Sequence, residues 1–265
     1  MLTTTFRVLL LATACLLTTT RLLAADGVLI LETTTLDGKA HKSQVQITKD
    51  RVRAEMVGGA GEVQAVIFDG TKQVLWMIDD DKKTYTELTK ADVDRLGAQM
   101  NDVMAKLQEQ LKSLPPEQRA RMEEMMKGRG MPGMTQPRKT EYKRTGTDKV
   151  GKWTCAKYEG FSNGQKTTDL CTVEPKDLGI TMADLEVTRQ LGEFFRKMMP
   201  QNAESIFSVG MPEEQGFSGV PVRRASRVGN VQSVTELSEI TRQNIPDSAF
   251  ALPTGFRKAA SPFQR

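Results

Sequence analysis

The hydrophobic period of this chain changes at residue 89, and that change limits its architecture more than any other feature. Before it, apolar residues alternate with polar ones in short runs that end in turn residues. Val28 to Leu31 leads into Thr33-Thr34-Thr35 and stops at Asp37-Gly38. Val45 and Ile47 alternate with Gln44, Gln46 and Thr48, and a tight turn at Lys49-Asp50 sets Ile47 opposite Val52 and Val45 opposite Ala54. After the flexible stretch Gly58-Gly59-Ala60-Gly61, Val63 to Phe68 ends at Asp69-Gly70, and Val74 to Ile78 ends at Asp79-Asp80-Asp81 before Lys83 to Glu87. A turn at Asp80-Asp81 places Trp76 opposite Tyr85 as an aromatic cross-strand pair. These runs predict antiparallel strands in meander order.

From Thr89-Lys90-Ala91-Asp92, a capping-box-like start, Val93, Leu96, Met100, Val103, Met104, Leu107, Leu111 and Leu114 recur three and four residues apart. That spacing predicts an amphipathic helix. Pro115-Pro116 breaks it and opens a second short helix carrying Met122, Met125 and Met126, which stops at Gly128-Arg129-Gly130. A Gly-, Pro- and Met-rich linker follows to Pro137. Strands resume over about 139–144 and continue through Trp153 to Tyr158 and Thr167 to Val173. A third helix is expected over Met182–Met199 with Leu185, Leu191, Phe194, Phe195 and Met198 on its apolar side. Strands return over Val220 to Val228 and Val231 to Thr241, joined at Gly229-Asn230, and Ile245 to Pro253 closes the pattern. The fold class is α+β, mainly antiparallel β: one domain over 26–265 with a helical, Met-rich insertion at about 89–137.

The first 25 residues read as a secretory signal peptide: Arg7, an apolar run from Val8 to Leu17, then Ala24 and Ala25. The run is about half the ~20 residues a membrane span needs, and nothing later in the chain is apolar enough to span. Soluble export with cleavage between Ala25 and Asp26 is the expected processing, and lipidation at Cys15 is the alternative. The whole chain carries a formal +4. Losing Arg7 and Arg21 leaves 35 basic against 33 acidic residues, a formal +2. A chain this close to neutral has no general pull on nucleic acid, and the best local patch is only Arg223, Arg224 and Arg227.

Export also leaves Cys155 and Cys171 as an even pair, which reads as a disulfide in an oxidising compartment. A loop at Ser162-Asn163-Gly164 sets Phe161 against Gln165 and so Cys155 directly against Cys171. Two buried free thiols are the competing state. A redox pair is disfavoured because there is no Cys-x-x-Cys spacing to lower a thiol pKa.

Catalytic constellations are scarce. His41 is the single histidine, and it follows a turn among lysines, where an exposed loop position is expected. Gly160-Phe161-Ser162-Asn163-Gly164 spells G-x-S-x-G, but strand-like sequence stands on both sides where a nucleophile elbow needs strand then helix. Asp79-Asp80-Asp81 lacks the alternate spacing of a Ca²⁺ loop and reads as a solvated turn. No pair of carboxylates stands out for glycosidase-like chemistry. The chemically distinctive group is methionine: Met100, Met104, Met122, Met125, Met126, Met131 and Met134 crowd the insertion. Thioethers at that spacing could hold Cu(I), and the competing role is an adaptable apolar face or lid. No catalytic residue, metal site or cofactor is assigned.

Several short motifs, in their order and spacing, resemble the DUF4412 family of bacterial envelope proteins. They are Trp76-Met77-Ile78-Asp79 with Lys83-Thr84-Tyr85, Cys155-Ala156-Lys157-Tyr158 with Asn163-Gly164 and Cys171, Gly219-Val220-Pro221-Val222-Arg223, and Phe250-Ala251-Leu252-Pro253-Thr254-Gly255-Phe256. The resemblance implies a curved antiparallel half-barrel like the periplasmic lipoprotein carriers LolA and LolB, with amphipathic helices on the concave side. It implies no established activity. The expectation is a non-enzymatic periplasmic protein whose groove takes a lipid, an acyl chain or an apolar peptide, with lipoprotein as a further partner class. Val66, Phe68, Trp76, Ile78, Met100 and Leu107 are the candidate groove lining, against ordinary core packing for each. The alternative is a structural or protein-interaction component of the envelope without a small ligand.

Overall fold

A computed structural model describes residues 26–57, 63–119, 121, 140–162, 164–198, 216–228 and 231–260. The first six strands form a meander: β1 (Gly27–Leu36), β2 (Lys39–Ile47), β3 (Arg51–Val57), β4 (Val63–Asp69), β5 (Val74–Asp79) and β6 (Thr84–Thr89). Helix α1 (Lys90–Ser113) follows. Next come β7 (Glu141–Val150), β8 (Trp153–Ser162), β9 (Gln165–Val173) and helix α2 (Glu186–Met198), then β10 (Val220–Val228), β11 (Val231–Gln243) and β12 (Arg257–Lys258). All twelve strands share one curved, unclosed sheet in the order β12-β6-β5-β4-β3-β2-β1-β11-β10-β9-β8-β7. Every pairing is antiparallel except β12 on β6.

The β2–β3 hairpin has the register its alternation predicts, Ile47 on Val52 and Val45 on Ala54. The Thr48 N–H donates to the Arg51 carbonyl at 2.9 Å, closing the tight turn. The β5–β6 hairpin differs from expectation. Trp76 faces Glu87, and Tyr85 faces Ile78. The connection is four residues long because the Asp79 carboxylate accepts the Lys82 N–H at 2.9 Å and Lys83 takes a positive φ of 50°. Two extra loop residues carry Tyr85 two places along its strand.

Cys155 and Cys171 are bonded, with 5.4 Å between their Cα atoms. They are not directly opposed: Cys171 faces Lys157, and Ala156 faces Thr172. The hairpin loop is one residue shorter than expected, with Ser162 on Gln165, and a bulge between Gly160 and Phe161 shifts the register once more. Each shift moves the pairing by one residue, so the two together leave both cysteines on one face.

Each side of the β3–β6 region is covered by a different element. Val52, Ala54, Val66, Phe68, Leu75 and Leu88 pack with Val187, Leu191, Phe194 and Phe195 of α2. The main core reaches across the sheet to Val28, Ile30, Val150, Trp153 and the disulfide. On the other face, Ala65, Ile67 and Ile78 pack with Ile245 and Phe250, and Trp76, Tyr85, Leu252 and Phe256 close around them. The C-terminal segment is therefore a strap. It crosses the back of the sheet and ends as β12, covering the backbone edge of β6. The resemblance motif from Phe250 to Phe256 lies in this strap. Before α2, a 3-10 turn at Met182–Leu185 occupies what the sequence reads as the first helical turn; α2 itself begins at Glu186.

Candidate functional site

The expected groove lining divides between three places. Val66 and Phe68 are fully buried beneath α2. Trp76 and Ile78 belong to the opposite face, against the strap. The pairing dictates this: Ile67 faces Trp76 and Ala65 faces Ile78, so these four residues share a face from which Val66 and Phe68 point away. Met100 and Leu107 lie on α1, away from both. The six residues do not line one groove.

Helix α1 is capped as its sequence predicts. The Thr89 hydroxyl accepts the Asp92 N–H at 3.2 Å, and the Asp92 carboxylate accepts the Thr89 N–H at 3.0 Å. The Thr89 hydroxyl also donates to that carboxylate at 2.7 Å, and this bond first, then the one from the Thr89 N–H, with Arg95 nearby, holds the Asp92 carboxyl below its ordinary value. At the far end the Leu114 N–H closes on the Leu111 carbonyl, and the Arg119 guanidinium folds back to donate to the carbonyls of Leu111, Lys112 and Leu114.

Between its caps, α1 is seated only at its start. Val93 is buried in the main core, and Leu96 packs partly against it. Gly97 lies so close to α2 that an added Cβ would stand 3.0 Å from the Lys197 carbonyl oxygen. Beyond this contact the same stripe opens. Met100 is 47% exposed and Val103 58% exposed; Leu107 and Leu111 are half-buried. The helix has 24 residues, about 36 Å at 1.5 Å per residue. Among the described residues, its first two turns supply the contacts with α2 and the main core. The expectation that amphipathic helices cover the sheet holds for α2 and fails for most of α1.

The remaining candidates separate. His41 is half-buried in β2 opposite Thr34, a strand position and not an exposed loop. Ser162 ends β8 at a hairpin, with strands on both sides, five strand spacings along the sheet from the strand of His41. That arrangement builds no nucleophile elbow. Asp79 closes its turn through Lys82, whose ammonium and backbone N–H hold the carboxyl low. Arg223 pairs with Glu236 at 3.2 Å. Arg224 neighbours Glu32, and Arg227 borders a polar hollow of about 270 Å³ with Lys166 and Asp169. The three arginines form no single patch. A smaller cavity of about 60 Å³ lies between α1 and α2, bordered by Val93, Gln190 and Phe194.

Burial holds the Glu32 carboxyl above its ordinary value, opposed by the charge of Arg224. A raised carboxyl is a catalytic signal when a second acid or a substrate cleft meets it. Glu32 instead faces Ser43 and Leu237 across its strands. Among the described residues no group of three or more His, Cys, Asp or Glu side chains is arranged to hold a metal ion. Met122, Met125, Met126, Met131 and Met134 lie outside the described residues, as do the signal segment and Cys15.

Fold and site together define a disulfide-bonded antiparallel sheet domain, with one helix seated on the sheet and one amphipathic helix left largely open. No described helix is long and apolar enough to cross a membrane. The chain belongs to the DUF4412 family: the family's model, described as a domain of unknown function, matches residues 89–256. No curated protein matches the chain. Among solved structures it is similar to an uncharacterized conserved protein from Thermus thermophilus, with 9% identity and a TM-score of 0.44 over 89% of this chain and 90% of that one. LprF from Mycobacterium bovis aligns at 11% identity and a TM-score of 0.27, over 88% of this chain and 90% of that one. A DUF1329 family protein from Desulfovibrio piger aligns at 10% identity and a TM-score of 0.25, over 86% and 90%.

Proposed function

We propose that this is a non-enzymatic periplasmic protein that binds a hydrophobic ligand, a lipid, acyl chain or apolar peptide, and that its sheet is a half-barrel of the kind the lipoprotein carriers use. One observation carries the reading: the apolar stripe of α1 stays open at Met100 and Val103 beyond its seat on the body. Two exposed apolar side chains adjacent on one stripe of a helix cost solubility, and a binding role explains their presence. The Cys155–Cys171 bond supports export to an oxidising compartment. The binding element is α1 and not the sheet beneath α2, because Leu191, Phe194 and Phe195 already fill that face.

The same filling favours a second reading, a structural or protein-interaction component of the envelope that takes no small ligand. Native mass spectrometry of the protein purified from a membrane-containing extract separates the two. A co-purifying hydrophobic species, lost when Val103 is changed to Glu, is the outcome expected of the binding protein. Ligand-free protein at every extraction condition contradicts it.

A further inference from the structure

The polar hollow that Arg227 borders follows from the order of short and long side chains on three paired strands. Thr168 of β9 faces Ser226 of β10, Asp169 faces Ala225, and Arg227 faces Gln232 of β11. The short side chains of Thr168, Ala225 and Ser226 thus adjoin one another in the wall, and they leave open the space of about 270 Å³ that longer ones would fill. Lys166, also in the wall, is tied to Glu159 at 2.7 Å and to Asp169 at 2.8 Å. Those two bonds fix one side of the hollow before anything binds.

The wall selects among ligands by its chemistry. Ala225 is its one apolar residue, so an acyl chain finds almost nothing to bury against. Lys166 and Arg227 carry two positive charges, and Glu159 and Asp169 carry two negative ones, so net charge draws in neither an anion nor a cation. What remains is a close mixture of donors and acceptors. The Thr168 and Ser226 hydroxyls and the Gln232 amide do both, Asp169 accepts and Arg227 donates. Arg227 is exposed and, among the described residues, forms no ion pair, so its planar fork can meet two neighbouring acceptors. A ring of adjacent hydroxyls, each donating and accepting, matches that set. The volume lies just under the ~300–1,000 Å³ of pockets for drug-sized ligands, which suits one sugar ring.

We infer that this hollow binds one pyranose unit of an uncharged saccharide. It is a site on β9, β10 and β11 to which α1 contributes no residue, and it goes beyond the hydrophobic ligand proposed above.

The test follows the amide NMR shifts of the isotope-labelled full chain as methyl β-glucopyranoside is titrated. Saturable shifts confined to residues 166–169, 225–227 and 232, with a Kd of about 1 mM, are the result expected of a small ligand in an open site. Ala225→Leu, which fills the hollow, and Arg227→Ala, which removes a donor, each weaken binding at least about fivefold. Lys149→Ala, on β7, leaves it unchanged. Because Arg227 is exposed, its variant keeps the urea midpoint of the parent and decides the matter even where Ala225→Leu unfolds the sheet. No saturable shift, shifts that fall elsewhere, or unchanged binding by Arg227→Ala overturns the inference. Inorganic phosphate and glucuronate are titrated in parallel, and tighter binding of either at the same residues assigns the hollow to an anion and also overturns it.

Discussion

The ring of Phe68 in β4 lies 5.5 Å from the ring of Phe194 in α2, tilted by 60°, with both side chains buried. This contact seats the helix on the sheet and closes the face where a ligand groove was expected. Phe194→Ala is expected to destabilise the protein by about 3–5 kcal/mol in urea denaturation, the usual loss for a buried aromatic that leaves a cavity. A loss under about 1 kcal/mol would show that α2 is loosely held and that the sheet face is accessible after all.

The disulfide closes a loop with a sequence separation of 16 residues. A loop of that length limits the unfolded chain by about 3 kcal/mol in the entropy model. The Cys155→Ala, Cys171→Ala double variant should therefore lose about 2–4 kcal/mol, and reduction of the parent should lose as much. Equal stability of oxidised and reduced protein would contradict this role.

How much of this was legible in the sequence depended on whether a loop intervened. The β2–β3 register followed from Val45, Ile47, Val52 and Ala54 because a two-residue turn leaves no freedom. The Trp76 partner was missed because turn length depended on the Asp79 side chain and on a positive φ at Lys83, neither of which alternation encodes. The cysteine pair was legible although its register was two residues off, because two single shifts restore the face. The division of Val66 and Phe68 from Trp76 and Ile78 was present in the alternation of β4 and β5. Choosing all four for one groove ignored that both sides of this sheet are buried. The strap could not be read, because Ile245 to Phe256 has no periodicity and acquires its place only by packing on a finished sheet.

The strap is held by apolar burial more than by its ion pairs. Lys258 to Glu87 bridges half-exposed groups, and Arg51 to Asp247 leaves the aspartate 88% exposed, so solvent screens both pairs. Phe250 is buried and lies 4.7 Å from the Arg51 guanidinium. Phe250→Ala should release residues 245–258 to fast hydrogen exchange and expose the β6 edge, whereas Lys258→Ala should change little. The reverse order of effects would overturn this assignment.

The α1 cap gives a pH signature. The Thr89 hydroxyl and N–H, with Arg95, hold the Asp92 carboxyl below its ordinary value of 3.8. A lowered carboxyl stabilises the folded state above the unfolded value and loses that contribution as pH falls through the folded one. Asp92→Asn should therefore cost about 1 kcal/mol at neutral pH, in the range of capping losses, and almost nothing once the pH is well below 3.8. A difference between parent and variant that persists undiminished in acid would contradict the cap.

Binding of a hydrophobic ligand on α1, and not under α2, is tested most directly by hydrogen–deuterium exchange of the full chain with and without palmitate. Slowed exchange confined to residues 98–111, with β4 and the buried face of α2 unchanged, is the expected result. Protection that appears in β4 and α2 while α1 stays unchanged would contradict it and return the site to the sheet.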